Sequence, residues 1–297
     1  MKHALIITSY NDFDILIKLL KYYSHHFDCY LHIDKKSNIS RSQYEEIKSI
    51  PNTFTLKKYR VNWGSYSHIK AVLALIALAV SNTQYDFYHI MTGNSFPVTT
   101  YIELDDFFEQ HSNNNFMEIV PLDGNPSKKD LEEWFYYFRF PFLYNKKGEN
   151  SDFWNQLEYN LVKIQKKLGM KRSLYYPYKG YFYCHLTHDF VIYLLDYIKR
   201  TPSYIQSLKY CHVCEEFFFQ NIIMSSPFKE TIIPNHLFFN IWSSERGNPA
   251  ILIDSDFQDI IASGAFFARK CGEDSIPLLN RLLKNISESS TDIILPK

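Results

Sequence analysis

Glycine is scarce in this chain, which has only 9 glycines among 297 residues. Two glycine-dependent nucleotide-binding motifs are missing. No GxGxxG follows the first apolar segment, and neither GxxxxGKS nor GxxxxGKT occurs anywhere. In both motifs glycine lets the backbone approach a phosphate group closely. Their absence weakens an assignment to the dinucleotide-dependent dehydrogenases or to the P-loop nucleotidases.

Long apolar runs are also missing. No segment reaches the roughly 18 uninterrupted apolar residues expected of a membrane-spanning helix. The apolar run near the N-terminus is too short for a secretory signal. We therefore expect a cytoplasmic protein.

The chain has no excess of charge of either sign. Lys and Arg total 32, and Asp and Glu also total 32. A general nucleic-acid binder is usually basic. We therefore expect no nucleic-acid partner, although a local basic pocket is compatible with this balance.

Cysteine is too scattered for a disulfide framework. Of the 5 cysteines, only Cys211 and Cys214 form a CxxC pair. A structural zinc site usually needs a second pair of ligands. We expect no bound metal, and a reducing environment.

The sequence does contain a regular alternation of short apolar segments with helical patterns. Strands are predicted at 4–9, 28–34, 53–61 and 85–93, with helices between them. This alternation is typical of an α/β fold with a parallel, nucleotide-binding sheet. Ligands of such sheets bind beyond the carboxyl ends of the strands. The segments that follow these strands are therefore the first places to look for a binding site.

The pattern changes after residue 110. We predict that residues 1–110 form a nucleotide-binding βα half and that residues 111–297 form an acceptor-binding and catalytic half of the same domain. Residues 121–180 are predicted to be irregular and 181–187 to form a strand. The segment FFARK, at 266–270, is predicted to lie in a helix.

Six segments, in order along the chain, carry a family resemblance. They are HIDKKS (32–37), VNWGSYSHIKAVLALI (61–76), HIMTGNSFPV (89–98), KGYFYCHLT (179–187), CEEFFFQN (214–221) and SGAFFARKCGEDS (263–275). Together they resemble the core-2/I-branching glycosyltransferases, which include the peptide O-xylosyltransferases. The resemblance implies a GT-A fold whose first half binds UDP. It also implies inverting transfer of a sugar from a UDP-sugar to an acceptor hydroxyl, without a divalent metal.

The resemblance places the catalytic base at Glu216. The base would take the proton of the acceptor hydroxyl, and burial beside the phenylalanines at 217–219 would raise its pKa. The alternative is that Glu215 and Glu216 are acids at the start of a helix, where the helix dipole favours them. Glu215, Glu133 and Trp134 are weaker candidates for contacts with the acceptor.

The resemblance also implies a donor site at the strand ends. Its candidate residues are Asp34, Val61, Asn62 and Trp63 near the uridine, Tyr181 near the sugar, and Arg269 with Lys270 at the diphosphate. Fixed cations can neutralise the phosphate charge that a metal ion neutralises in most GT-A enzymes. The alternative is that both cations end a helix. Ser95 stands where the family commonly has aspartate, and Tyr181 where it usually has serine.

Two DxD tripeptides occur, and we predict that neither holds a metal ion. The first, at 12–14, coincides with a helix start, and the second, at 254–256, forms a capping box of Ser255 with Gln258. Neither follows the strand that ends near residue 92, where GT-A enzymes hold their metal. We expect no cofactor.

Together these features predict a bacterial enzyme of surface polysaccharide or glycoconjugate synthesis. Its donor would be UDP-GlcNAc or UDP-xylose. Its acceptor would be an oligosaccharide or lipid-linked glycan, with peripheral contact at the inner face of the membrane. Two alternatives stay open: a carbohydrate-binding or catalytically decayed domain, because of Ser95 and Tyr181, and a glycoside hydrolase. The hydrolase is disfavoured because adjacent glutamates on a helix point about 100° apart and do not face each other across a sugar.

Overall fold

The computed structural model describes residues 1–143, 151–243 and 245–289. The first part of the chain forms β1 (His3–Ser9), α1 (Phe13–Tyr23), β2 (Asp28–Ile33), α2 (Arg41–Ser49), β3 (Thr53–Leu56), α3 (Tyr66–Asn82), β4 (Phe87–Thr92), β5 (Phe96–Pro97) and α4 (Tyr101–Gln110). It continues with β6 (Asn115–Met117), β7 (Val120–Pro121), α5 (Lys128–Tyr136), α6 (Ser151–Lys167), β8 (Tyr178–Lys179), β9 (Cys184–Thr187), α7 (His188–Arg200), α8 (Pro202–Leu208) and α9 (Glu215–Met224). The last part forms β10 (Ile232–Ile233), β11 (Phe238–Phe239), α10 (Phe257–Ala262), β12 (Phe267–Ala268) and α11 (Ile276–Ser289).

A seven-stranded sheet in the order β10-β6-β9-β4-β1-β2-β3 forms the centre of the fold. β1 pairs in parallel with β2 and β4, and β2 pairs in parallel with β3. β9 is antiparallel to both of its neighbours, β4 and β6, and β10 is parallel to β6. Six strands therefore run in one direction and β9 in the other. This arrangement confirms the predicted α/β class.

Helices cover both faces of the sheet. Along β1, Leu5 and Ile7 face one core and Ala4 and Ile6 the other, as the two-residue period of a strand requires. α1, α4 and α11 contribute to the first core. α3, α7 and α9 contribute to the second. Burial of β1 on both faces explains its continuous apolar sequence.

Side-chain oxygens cap the starts of two helices. The hydroxyl of Ser65 accepts from the amide of Ser67 at 3.2 Å at the start of α3. At the start of α4, the Thr100 hydroxyl accepts from the Glu103 amide at 3.1 Å and the Glu103 carboxylate accepts from the Thr100 amide at 3.0 Å. Among the described residues, no helix combines the length and apolarity that crossing a bilayer requires.

The third predicted strand, 53–61, is too long. β3 ends at Leu56 because the backbone that follows it bonds to groups outside the strand ladder. The amide of Tyr59 donates to the His32 ring at 3.1 Å, and the amide of Val61 donates to the Asp34 carboxylate at 3.3 Å.

The prediction that 121–180 is irregular is wrong, because this region contains α5 and α6. In α6, Phe153 and Ile164 are exposed while Val162 is buried, so apolar residues lie on two sides of the helix. A helix with apolar residues on two sides lacks the single apolar face by which amphipathic helices are recognised.

The helix predicted at FFARK is also wrong. Phe267 and Ala268 form β12, which pairs with β11 and β5, and Arg269 and Lys270 follow it without helical structure. These pairings supply the backbone bonds that a helix would have made. The capping box predicted for Ser255 is replaced by a different contact, in which Asp256 accepts from the amide of Ile253 at 2.9 Å.

The reversed direction of β9 brings its start to the edge where the other strands end. Cys184, its first residue, pairs with Ile90 near the end of β4 and with Met117 at the end of β6. The segment before β9 therefore reaches the same edge as the segments that follow β1, β2, β4 and β6. In parallel sheets this is the edge at which ligands bind.

A chain of buried histidines crosses the sheet. His3 Nδ1 lies 2.9 Å from His89 Nε2, and His89 Nδ1 lies 2.7 Å from His185 Nδ1. His185 Nε2 donates to the carbonyl oxygen of His236 at 3.1 Å. Burial lowers the pKa of His185 to about 3, so this ring is neutral at pH 7. The row of histidines thereby holds the backbone of His236 in place. The His236 ring stacks on Tyr181 with 4.9 Å between centroids.

Candidate active site

Glu216 lies in the first turn of α9 and is half-buried. Lys179 Nζ donates to its Oε2 atom at 2.9 Å, and the same ammonium lies 5.5 Å from the centroid of the Trp134 ring. Burial raises the pKa of the Glu216 carboxyl, Lys179 opposes this rise, and Glu118 adds to it. A carboxylate that is partly desolvated and still paired with a cation is suited to accept a proton.

Glu215, the adjacent acid, is buried. Burial raises the pKa of its carboxyl to about 8, and the charge of Glu216 adds to the rise, whereas the backbone amides of Glu215 and Gly64 act in the opposite direction. Its Oε2 atom has no hydrogen-bond partner among the described residues. This carboxyl is therefore mostly protonated at pH 7, so it is poorly suited to act as a base there.

Gly180 leaves room for three segments to meet beside Glu216. Its amide donates to the carbonyl of Glu216 at 2.9 Å. A Cβ atom at this position would lie 1.9 Å from the carbonyl oxygen of Glu118, so only glycine fits. The Glu118 carboxylate in turn accepts from the amide of Tyr181 at 2.9 Å.

The segment that carries Arg269 and Lys270 is held at the strand-end edge by its backbone. The amide of Arg269 donates to the carbonyl of Phe239 at 2.9 Å. The amide of Cys271 donates to the carbonyl of Asn94, two residues beyond the end of β4, at 3.0 Å. Both cations therefore lie where the strands of the central sheet end.

Neither cation has a carboxylate partner within the described part of the chain. The guanidinium carbon of Arg269 lies 4.4 Å from the centroid of the Tyr183 ring. Lys270 is near Asp12: burial raises the pKa of this acid, and Lys270 opposes the rise. Cations without ion pairs at a sheet edge can accept an anionic ligand.

Tyr181 lies between the basic and acidic parts of the site. Burial raises the pKa of its phenol, Arg269 opposes this rise, and Glu216 contributes to it. The phenol of Tyr181 thus lies within electrostatic range of both Arg269 and Glu216. Ser95, by contrast, is buried in the core, where its carbonyl accepts from the Tyr23 hydroxyl at 3.1 Å.

Asp34 joins the ends of two strands. Its Oδ1 atom accepts from the amides of Lys36 at 2.8 Å and Val61 at 3.3 Å. Lys36 Nζ donates to the Asn62 amide oxygen at 2.7 Å. The structure therefore brings together three of the predicted uridine residues, Asp34, Val61 and Asn62.

Trp63 is exposed, and its ring belongs to an aromatic cluster that extends toward Glu216. Its ring meets the His212 ring edge-on, with 5.6 Å between centroids, and His212 meets Trp134 in the same way at 5.4 Å. Trp134 and Lys179 connect this cluster to Glu216. Glu133 faces another way and forms an ion pair with Lys166 of α6.

Comparison with known proteins identifies the family. The model of the core-2/I-branching enzyme family matches residues 4–260. The chain belongs to this family. The family match confirms the sequence-based resemblance, and with the sheet described above it supports the predicted GT-A-type fold.

Other comparisons add little to the family assignment. No curated protein matches the chain. The crystal structure of S. aureus TarS is 16% identical over 39% of this chain and 21% of that chain, with a TM-score of 0.30. TarS 1-349 in complex with UDP-GlcNAc is 14% identical over 42% and 36%, with a TM-score of 0.30. TarS 1-349 in complex with UDP is 16% identical over 42% and 37%, with a TM-score of 0.31. The matched region thus spans well under half of TarS, and no functional conclusion rests on it.

The aspartates of the two DxD tripeptides have different surroundings. Asp256 binds Arg246 through two contacts of 2.8 and 3.2 Å, and Asp254 contacts Arg281 at 3.2 Å. Asp12 occupies the N-cap position of α1 without a side-chain capping bond. Within residues 1–143, 151–243 and 245–289, no three His, Cys, Asp or Glu side chains are grouped as metal ligands would be.

Four residues of the site were missed by the sequence analysis: Lys179, Glu118, Tyr183 and His212. Glu118 directly follows β6, so the strand-end rule would have indicated it. Lys179 and Tyr183 lie in the KGYFYCHLT block, but nothing in that block shows which side chains face Glu216 or Arg269. No sequence signal indicated His212.

Replacing Glu215 by glutamine tests the buried acid. The folded chain holds a proton at Glu215 up to about pH 8, whereas an ordinary glutamate releases it near 4.5. Wild-type stability should therefore fall, relative to Glu215→Gln, as the pH rises from 4.5 to 8, with a slope of up to about 1.4 kcal/mol per pH unit. Urea unfolding at several pH values measures this difference.

The exposed acid Glu230 offers a matched control. Glu230→Gln should follow the wild-type pH profile. Parallel pH profiles for wild type and Glu215→Gln would show that the Glu215 carboxyl is not buried as described.

Proposed function

We propose that the protein transfers GlcNAc or xylose, with inversion and without a divalent metal, from a UDP-sugar to the hydroxyl of a glycan acceptor. Family membership supports the UDP-sugar donor. One observation carries the finer proposal: Arg269 and Lys270 lie without carboxylate partners at the strand-end edge that also holds Tyr181 and Glu216.

In the proposed reaction, an acceptor oxygen attacks the anomeric carbon of the donor. The new bond to this oxygen forms as the bond to the UDP oxygen breaks, which inverts the configuration at the anomeric carbon. The acceptor proton moves to Glu216, and UDP leaves with the bonding electron pair. Arg269 and Lys270 stabilise the charge that develops on the diphosphate. Asp34, Val61 and Asn62 hold the uridine.

In this proposal Lys179 orients Glu216 and adjusts its pKa. It donates to Oε2 of Glu216, which leaves Oε1 for the acceptor hydroxyl. Burial favours the neutral carboxyl, and Lys179 keeps enough of it ionised to act as a base. Trp134 and Trp63 provide ring faces for the acceptor. Tyr181 lies where the donor sugar would meet Arg269.

The two weaker acceptor candidates receive different roles. Glu133 supports α5 through its ion pair with Lys166. Glu215 lies behind Glu216, where its mostly neutral carboxyl adds little negative charge. We therefore propose that Trp134, rather than Glu133 or Glu215, contacts the acceptor directly.

We further propose a bacterial setting. The enzyme would act in the cytoplasm, at the inner face of the membrane, in the synthesis of a surface polysaccharide or glycoconjugate. A lipid-linked glycan is the acceptor that suits this location best. No metal or other cofactor takes part in the proposed reaction.

UDP binding tests the cationic site. UDP should raise the thermal unfolding temperature equally with and without EDTA. Arg269→Ala should weaken UDP binding by about tenfold to a hundredfold, because a hydrogen bond to a charged group contributes about 1.5–3 kcal/mol. Arg281→Ala is the matched control, since Arg281 pairs with Asp254. A strict requirement for Mn²⁺ would contradict the proposed donor site.

Glu216→Gln tests the base. This variant should bind UDP as wild type does but lose acceptor-dependent UDP release by about a hundredfold or more, because the amide cannot take the proton. Glu230→Gln serves as the control. Undiminished turnover of Glu216→Gln would remove Glu216 from the mechanism. Glycoside cleavage without nucleotide would favour the hydrolase, and sugar binding without turnover the decayed domain.

Lys179→Met tests the electrostatic control of the base. Without the ammonium, the pKa of Glu216 should rise further, since Lys179 opposes the effect of burial. Turnover needs the ionised carboxylate, so the acidic limb of the profile of kcat/KM against pH should move to higher pH. Lys199→Met, on the exposed end of α7, should leave this limb in place. An unmoved limb in Lys179→Met would separate Lys179 from the base.

A further inference from the structure

The buried side of α6 is mostly polar for a helix of a globular protein. Its buried residues are Glu158, Val162 and Gln165. Glu158 accepts from Arg139 at 3.0 Å, and Gln165 bonds to both the amide and the carbonyl of Phe138, at 2.8 and 2.9 Å. Polar contacts therefore attach this helix to the body of the protein.

Four large apolar residues point outward instead. Phe153, Leu157, Ile164 and Leu168 are 63%, 40%, 52% and 66% exposed. The amide of Leu168 donates to the carbonyl of Ile164 at 3.0 Å, so the helical bonding extends to this residue. With 3.6 residues per turn, the four side chains fall within an arc of about 60°. We call these four residues the outer stripe.

The outer stripe lies in the part of the chain where exposed apolar residues are most frequent. Sixteen large apolar residues are exposed in the described part of the chain, and eight of them lie between residues 138 and 170. The other four of these eight are Phe138, Leu143, Tyr159 and Met170. An apolar surface of this kind marks an interaction site.

Two lysines indicate what covers it. Lys163 and Lys167 are exposed and lie on one flank of the outer stripe, at helical positions neighbouring Ile164 and Leu168. Lysine is depleted in the centres of protein interfaces. Phenylalanine and leucine bordered by lysine are typical of helices that lie in a membrane interface, where the lysines meet anionic headgroups.

We propose that the outer stripe docks the protein on the surface of an anionic lipid bilayer. α6 would lie in the plane of the interface, with the stripe among the acyl chains and the two lysines at the headgroups. This docking is a peripheral contact. The outer stripe is the surface that would make the membrane contact proposed above.

The position of α6 gives docking a use. Glu133 and Trp134 are neighbours on α5: Glu133 pairs with Lys166 of α6, while Trp134 lies beside Lys179 and the base. Docking through α6 would bring a lipid-linked acceptor to the Trp134 side of the site. This use rests on the proposed function, whereas the docking itself does not.

Vesicle sedimentation without nucleotide tests the docking. The protein should bind vesicles of equal parts phosphatidylcholine and phosphatidylglycerol, and bind pure phosphatidylcholine more weakly. Replacing Phe153, Ile164 and Leu168 by serine should weaken binding to the mixed vesicles by about tenfold or more. The double variant Ile192→Ser, Ile261→Ser is the control, because these residues are 42% and 39% exposed on other helices.

A second variant separates the lysines from the stripe. Lys163→Gln with Lys167→Gln should weaken binding to the mixed vesicles and leave binding to pure phosphatidylcholine unchanged. UDP binding should be the same in all variants, so a failure of docking is distinguishable from a failure of the transferase assignment.

Hydrogen exchange on the unaltered protein covers the case in which the serine variant does not fold. Mixed vesicles should protect the amides of 153–168 and leave those of α7 and α10 unchanged. The proposal is overturned if the wild type ignores anionic vesicles, if the folded serine variant binds them equally, or if 153–168 gains no protection. It is also overturned if light scattering shows a dimer that the serine variant converts to a monomer, since a second copy would then cover the stripe.

Discussion

The reversed direction of β9 is the constraint on which the whole site depends. Because β9 runs against β4 and β6, the residues before it reach the edge where the other strands end. Lys179 and Tyr181 thereby meet groups that follow other strands. Gly180 makes the close approach possible, since a side chain there would collide with the backbone of Glu118. With β9 in the parallel direction, these residues would lie at the opposite edge of the sheet.

Two neighbouring glutamates differ in protonation because their environments differ. Glu215 and Glu216 have the same side chain and lie in the same helical turn. Glu215 is buried without a cation, so its proton is retained near neutral pH. Glu216 is partly open and paired with Lys179, which opposes the rise in its pKa that desolvation causes.

Local patterns in the sequence predicted the α/β half well, because its strands and helices satisfy their own periodicity and caps. Family motifs indicated Glu216, Asp34 and Arg269. Two features resisted prediction for physical reasons. The FFARK segment becomes a strand only because distant strands pair with it. α6 lacks a single apolar face because apolar residues lie on its exposed side as well as at buried Val162. The division into two halves remains a prediction, and one sheet takes strands from both.

The anchoring of the Arg269 segment to Asn94 has a consequence for how the protein is made. Its early strands can pair while later parts are still being translated, since domains tend to fold from the N-terminus as they leave the ribosome. The diphosphate subsite that we propose at Arg269 and Lys270 cannot exist at that stage. If the proposal holds, a nascent chain acquires its sheet first and its affinity for nucleotide last. Free UDP would then stabilise only molecules whose synthesis has passed this segment.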